Sequence, residues 1–137
     1  MSAAGSAPET TSEPSPPERA YVWEPLDGGG IAVFRLLTSA PFTLDLAQTT
    51  IADLTALTGG KRVPIMADIR RSKGMTQEAR AFFGNPNPPY SALAILADSP
   101  VTRMIANFFI GLNRPSVPTH VFTDEEKALH WLRGYVA

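Results

Sequence analysis

Short apolar runs alternate along the chain with segments whose apolar residues recur at helical spacing. The runs are 31–37, 63–69, 90–97 and 117–122. Between them the spacing predicts helices at about 44–58, 77–83 and 99–113, and a further helix follows the last run. Strands joined through helices pair in parallel, so this alternation restricts the chain to a sheet with helices against its faces. One more strand candidate, 21–24, ends at Pro25. The turn Asp27-Gly28-Gly29-Gly30 joins it to 31–37 and predicts an antiparallel pair. That glycine run lacks a following Lys-Ser/Thr and opens a strand, so it is read as a turn and not as a phosphate loop. The expected fold class is therefore a single α/β domain. It has a mostly parallel sheet of about five strands, an N-terminal antiparallel strand and about four helices.

Local signals place the helix ends. Thr43 caps the first helix, Asp45 favours its first turn, and Gly59-Gly60 ends it. Ala47, Ile51, Leu54 and Leu57 share one face there. Thr76 caps the second helix and Gly84 stops it, before the turn-rich Asn85-Pro86-Asn87-Pro88-Pro89. The run 90–97 is apolar nearly throughout, as a strand covered on both faces should be. In the third helix Ser99 stands at the cap and Pro100 at the first helical position. Val101, Met104, Ile105, Phe108, Phe109 and Leu112 then form a full apolar stripe, read here as core. Thr123-Asp124-Glu125-Glu126 reads as a capping box with Glu126 at N3. The last helix should present Ala128, Leu129, Leu132, Tyr135 and Val136 to the core, with Trp131 covering its edge.

Composition excludes several function classes. Of 137 residues, 44% are hydrophobic and 18% charged, the net charge is −1, and Cys is absent. A near-neutral chain has no global pull toward nucleic acid. Without Cys there is no disulfide, no thiolate nucleophile and no metal site that needs sulfur. His120 and His130 are the two histidines. They are read as surface or half-buried structural residues, and no metal or other cofactor is expected. Residues 1–19 hold four of the 13 prolines and no large apolar residue except Met1. Such a segment cannot offset its ordering entropy and reads as a disordered Pro/Ser/Glu-rich tail, leaving 20–137 as the domain. No targeting signal or transmembrane segment is read, and the expected setting is cytoplasmic.

The element order looks like the fold shared by bacterial anti-sigma-factor antagonists, STAS domains and CRAL-TRIO-type lipid-binding domains. The C-terminal half is more specific. Ser99-Pro100-Val101-Thr102-Arg103-Met104-Ile105-Ala106-Asn107-Phe108-Phe109 is followed by Arg114-Pro115, Pro118 and Val121-Phe122-Thr123-Asp124-Glu125. With Ala128, Leu129, Trp131 and Leu132, this resembles small bacterial STAS-like proteins of unknown function. The resemblance covers about 20–137 and implies a STAS-like domain, with no established activity. In the antagonists a phosphorylated serine or threonine follows the central strand in an Asp-Ser-Ser/Thr-Gly type segment. Here Asp68 is followed by Ile69 and Arg70, and Ser72 and Thr76 are the nearby hydroxyls.

The segment 61–80 carries a net charge of +4, against −1 for the whole chain. Part of it follows the carboxyl end of a parallel strand, where open α/β sheets bind ligands. Asp68, Arg70, Arg71, Ser72, Lys73 and Thr76 are therefore the candidate ligand- or partner-binding residues. The plainer alternative is a solvated loop. Asp68 is read as a loop cap or an arginine partner in preference to a general base, and no catalytic residue is assigned. The expected function is a non-enzymatic regulatory or protein-interaction module, docking another protein through a helix edge and the basic loop. The alternative is a small binding protein for a lipid or apolar anion, with a homodimer as a further arrangement.

Overall fold

The computed structural model of the protein describes residues 19–136. The tail expected at 1–19 thus lies, Arg19 apart, outside the described residues. The strands are β1 (Tyr21–Leu26), β2 (Ile31–Leu36), β3 (Val63–Asp68), β4 (Tyr90–Leu96) and β5 (Thr119–Phe122). The helices are α1 (Leu44–Thr58), α2 (Gln77–Phe82), α3 (Pro100–Asn113) and α4 (Glu125–Arg133). Among the described residues the strands form one sheet in chain order, β1 antiparallel to β2 and the others parallel. This is the expected α/β architecture.

A sheet laid down in one direction with right-handed crossovers carries its crossover helices on one face. On that face Leu54 of α1 and Ala106 of α3 pack on Ile65, Leu93 and Ile95. Ala47 of α1 and Ala79 of α2 pack with Phe34 and Leu36. α4 follows the last strand and closes the opposite face, where Ala128, Leu129 and Leu132 cover Val33, Met66 and Leu96. β3 and β4 are buried on both sides, which is why their sequences are apolar without alternation.

Most caps act where their chemistry predicts. The Thr43 hydroxyl accepts the Leu46 N–H at 3.3 Å, and Gly59 takes the left-handed conformation, φ 66°, that ends α1. Ser99 and Thr102 cap α3 reciprocally, with Pro100 in the first turn. Several ends shift by one or two residues, β5 beginning at Thr119 where 117 was expected, and two differences have a plain cause. β1 runs through Pro25 to Leu26, because β1 lies at the sheet edge and a missing N–H can face solvent there. The cap of α4 is Asp124, whose carboxylate accepts the Glu126 N–H at 2.9 Å, so Glu126 does not occupy the expected N3 position.

The third helix corrects the core expectation. Its buried residues are Thr102 and Ala106, Ile105 and Phe109 are half-buried, and Val101, Met104, Phe108 and Leu112 are exposed. Met104 is 65% and Phe108 61% accessible. The physical reason is width. Small side chains at 102 and 106 let one face seat against the sheet, and the apolar stripe extends well to one side of that face. The same correction holds for Leu57 of α1 and for Tyr135 and Val136 after α4, all of which are exposed.

Candidate functional site

Arg35 and Asp68 are register partners on the parallel strands β2 and β3, near their carboxyl ends. Asp68 is 7% exposed, and its charge is answered from two sides. Arg35 donates to it at 3.1 Å. Arg70, two residues on, folds back with two side-chain bonds of 2.9 and 2.8 Å and adds its backbone N–H at 3.1 Å. Arg35 also grips both carboxylate oxygens of Glu125, in the first turn of α4, and donates to Glu24 of β1. Burial by itself would raise the Asp68 carboxyl, but the Arg70 and Arg35 bonds outweigh it and hold it below the usual carboxylate range. Bonding to Arg35 likewise holds Glu125 low. An ionised, fully bonded carboxylate is a poor general base. The cluster ties the sheet to α4, and it engages Arg70, which was expected to face a ligand.

The loop 71–76 is held by bonds from its own residues and from Phe42. The Ser72 hydroxyl accepts the Gly74 N–H at 3.1 Å, and the Ser72 N–H donates to the Ile69 carbonyl at 2.9 Å. Phe42 pairs across to Gly74 and Thr76 through bonds of 3.1 and 3.0 Å. The Thr76 hydroxyl caps α2 by accepting the Ala79 N–H at 3.2 Å. Arg71 and Lys73 are exposed, and the Arg71 carbonyl accepts the Ser39 hydroxyl at 2.9 Å. Of the six candidate residues, then, Asp68 and Arg70 meet in the ion cluster. Ser72 and Thr76 spend their hydroxyls on local structure. Arg71 and Lys73 are left as the surface cations of the loop.

Next to this loop lies an open groove of about 280 Å³. Gly74 and Met75 of the loop and Arg80 of α2 border it, with Met104, Ile105, Phe108 and Phe109 of α3. The Arg80 guanidinium stands over the Phe108 ring, 5.9 Å from its centre, a cation–π arrangement. Phe108 and Met104, expected in the core, thus line a groove, and Arg80 and Arg35 belong to the site although they were not among the candidate residues. Two signals were present. A lone cation interrupts the otherwise apolar run 31–37, and six apolar residues in the third helix are more than one sheet-facing stripe can bury.

An apolar pocket of about 110 Å³ adjoins this groove and shares Met75, Ile105 and Phe109 with it. Trp23, Phe34, Phe42, Ile65, Ile105 and Phe109 are among the residues around the pocket. His120 is exposed on the edge strand, with its ring near those of Phe122 and Trp131, and His130 is exposed on α4. Among the described residues no group of three or more His, Asp or Glu is placed to hold a metal ion. No described helix is long and apolar enough to cross a membrane.

The family model "Domain of unknown function (DUF7793)" matches residues 26–136. A solved structure from Shewanella loihica PV-4, an uncharacterized protein of the DUF3478 family with a SpoIIAA-like fold, aligns with a TM-score of 0.59 at 18% identity. That alignment covers 82% of this chain and 92% of the other. A protein with unknown function from Arthrobacter sp. FB24 is 35% identical over 82% of this chain and 98% of its own, with a TM-score of 0.32. The search of curated proteins found no match. The first of these structures shows the fold to be SpoIIAA-like, in agreement with the STAS-like arrangement expected from the element order.

Proposed function

We propose, for a chain that belongs to the DUF7793 family, that the domain is a non-enzymatic regulatory or protein-interaction module that docks its partner on the outer face of α3. The observation that carries this reading is the exposure of Met104 and Phe108 side by side on that helix. Contiguous apolar surface on a soluble domain is costly to hydrate and marks interaction sites. The groove beside it gives the surface relief, Arg80 borders it, and Arg71 and Lys73 are exposed on the loop whose Gly74 and Met75 also line it. Rim charges of this kind steer encounter, while the apolar centre supplies affinity.

Two other readings fit less well. An enzyme needs a group free to move a proton, and the buried carboxylate of the sheet is committed to two arginines. A lipid or apolar-anion carrier needs a pocket of roughly 300–1,000 Å³. The apolar pocket of about 110 Å³ has room for a fragment of such a ligand, and the adjoining groove of about 280 Å³ lies open at the surface.

The test compares wild type with the double variant Met104→Gln/Phe108→Gln after circular dichroism shows the same fold. Both are used as bait at low and high salt. Docking on α3 predicts that wild type retains a protein, this same chain included, that the variant does not. Identical capture by the two would overturn the reading.

A further inference from the structure

The apolar pocket lies where two crossover helices share one face of the sheet. Thr50 and Ile51 of α1 contribute to its wall, as do Ile105, Ala106 and Phe109 of α3, over Ile65 and Ile95 of the strands. Met75, Ile105 and Phe109 also line the groove, so the pocket continues into open surface at that end. Volume sets the size of an occupant. A dry apolar cavity of about 150 Å³ takes a benzene ring. A pocket of about 110 Å³ that continues into a groove of about 280 Å³ therefore suits one ring or a short chain, with the rest of the molecule in the groove. A whole lipid is too large for it.

Charge sets the chemistry of the outer end. Arg80 is the charged residue lining the groove, and no Asp or Glu lines either space. Among the described residues Arg35, Arg70 and Arg133 have acidic partners and Arg80 has none, although it is half-buried. Its guanidinium rests over the Phe108 ring, and its planar fork matches a carboxylate. Two hydroxyls set the chemistry of the inner end. Thr50 and Tyr90 both line the pocket and are 4% and 6% exposed. The Thr50 hydroxyl has no hydrogen-bond partner among the described residues. None reaches the Tyr90 hydroxyl either, which burial alone pushes up to about 12. Buried polar groups are normally bonded, so two unpartnered hydroxyls on one small apolar pocket are open to a ligand atom. We propose that this space binds a small aromatic carboxylate with a hydroxyl on its ring, the ring in the apolar pocket and the carboxylate in the groove on Arg80.

The experiment titrates the full chain with para-hydroxyphenylacetate and follows backbone amide signals by NMR. Wild type should show saturable shifts at Thr50, Ile105 and Phe109. Tyramine, the same ring ending in an ammonium, should leave those signals in place. Arg80→Gln should weaken binding of the acid by roughly tenfold, the worth of a charge-assisted hydrogen bond. Phenylacetate should bind more weakly than the hydroxylated acid in wild type and equally in Thr50→Val/Tyr90→Phe. Ile51→Phe should fill the pocket and abolish binding with the melting temperature kept or raised. If Ile51→Phe does not fold, Arg80→Gln, a change at the half-buried rim, decides alone. Absence of saturable shifts overturns the proposal, and so do shifts confined to other surfaces. Equal binding of tyramine, or an affinity unchanged in Arg80→Gln, also overturns it. Equal affinity of wild type for the two acids removes the ring hydroxyl from the ligand class. The docking reading stands or falls on protein capture and is unaffected by these outcomes.

Discussion

Arg35 and Glu125, 90 residues apart in the chain, meet as a fork-to-fork ion pair with N–O distances of 3.1 and 3.0 Å. Bidentate geometry of this kind is the strong form of the charge-assisted hydrogen bond. It fastens the first turn of α4 to the carboxyl end of β2, and Asp68 lies against the same guanidinium. Removing the arginine leaves a nearly buried carboxylate with one partner fewer. Arg35→Leu should destabilise the fold by roughly 1–3 kcal/mol, less than a fully buried pair because Arg35 still touches solvent. Urea unfolding checks this, and an unchanged midpoint would contradict the role given to the cluster.

Acid should act through the same residues. Asp68 and Glu125 both have carboxyls held low in the folded state. A depressed folded value means that the folded state binds the proton less readily than the unfolded chain, so stability is present above the unfolded values of about 4 and is lost as pH falls below them. Thermal melting from pH 6 down to pH 2 should show a decline that Asp68→Asn and Glu125→Gln each flatten. A decline equally steep in both variants would assign acid sensitivity to other carboxylates.

Burial separates two apolar residues that helical spacing treats alike. Leu54 is fully buried under the sheet, and Leu54→Ala should cost about 2–5 kcal/mol through lost transfer energy and a cavity. Phe108 gives up mainly its contact with Arg80, so Phe108→Ala should cost under about 1 kcal/mol. Chemical denaturation of the two variants decides it. A large loss for Phe108→Ala would return α3's outer stripe to the core.

Thr76→Ala should lower stability by about 1 kcal/mol, because its hydroxyl satisfies an orphan N–H at the start of α2. Ser72→Ala removes one turn bond in a loop that Phe42 also pins, and should cost less. Comparing the two melting temperatures tests whether these hydroxyls are structural. If Thr76→Ala melts like wild type, the cap contributes nothing measurable.

Much of the fold was legible because its signals are local. A cap such as Thr43 or Ser99 acts on N–H groups two or three residues away, and Gly59 supplies a backbone conformation that other residues resist. The apolar run 90–97 announces a strand covered on both faces whatever covers it. Element order plus the hand of the crossovers then leaves few sheets to choose from.

The candidate site was legible only in part, because its contacts are not local. Asp68 and the cations after it stand out as a charge cluster, yet nothing in 61–80 says that Arg70 will turn back onto Asp68 or that Arg35 and Glu125 will arrive from other elements. By itself the sequence determined where the helices and strands lie, the class of sheet they build, and which residues of α3 share a stripe. Tertiary structure decided which part of that stripe is covered. Helical periodicity fixes the angle between Phe108 and Phe109 around the axis, but not how the helix is rolled against the sheet. That roll follows from the small residues Thr102 and Ala106 seating on β-strands contributed by distant parts of the chain, and it turns Phe109 inward and leaves Phe108 in solvent.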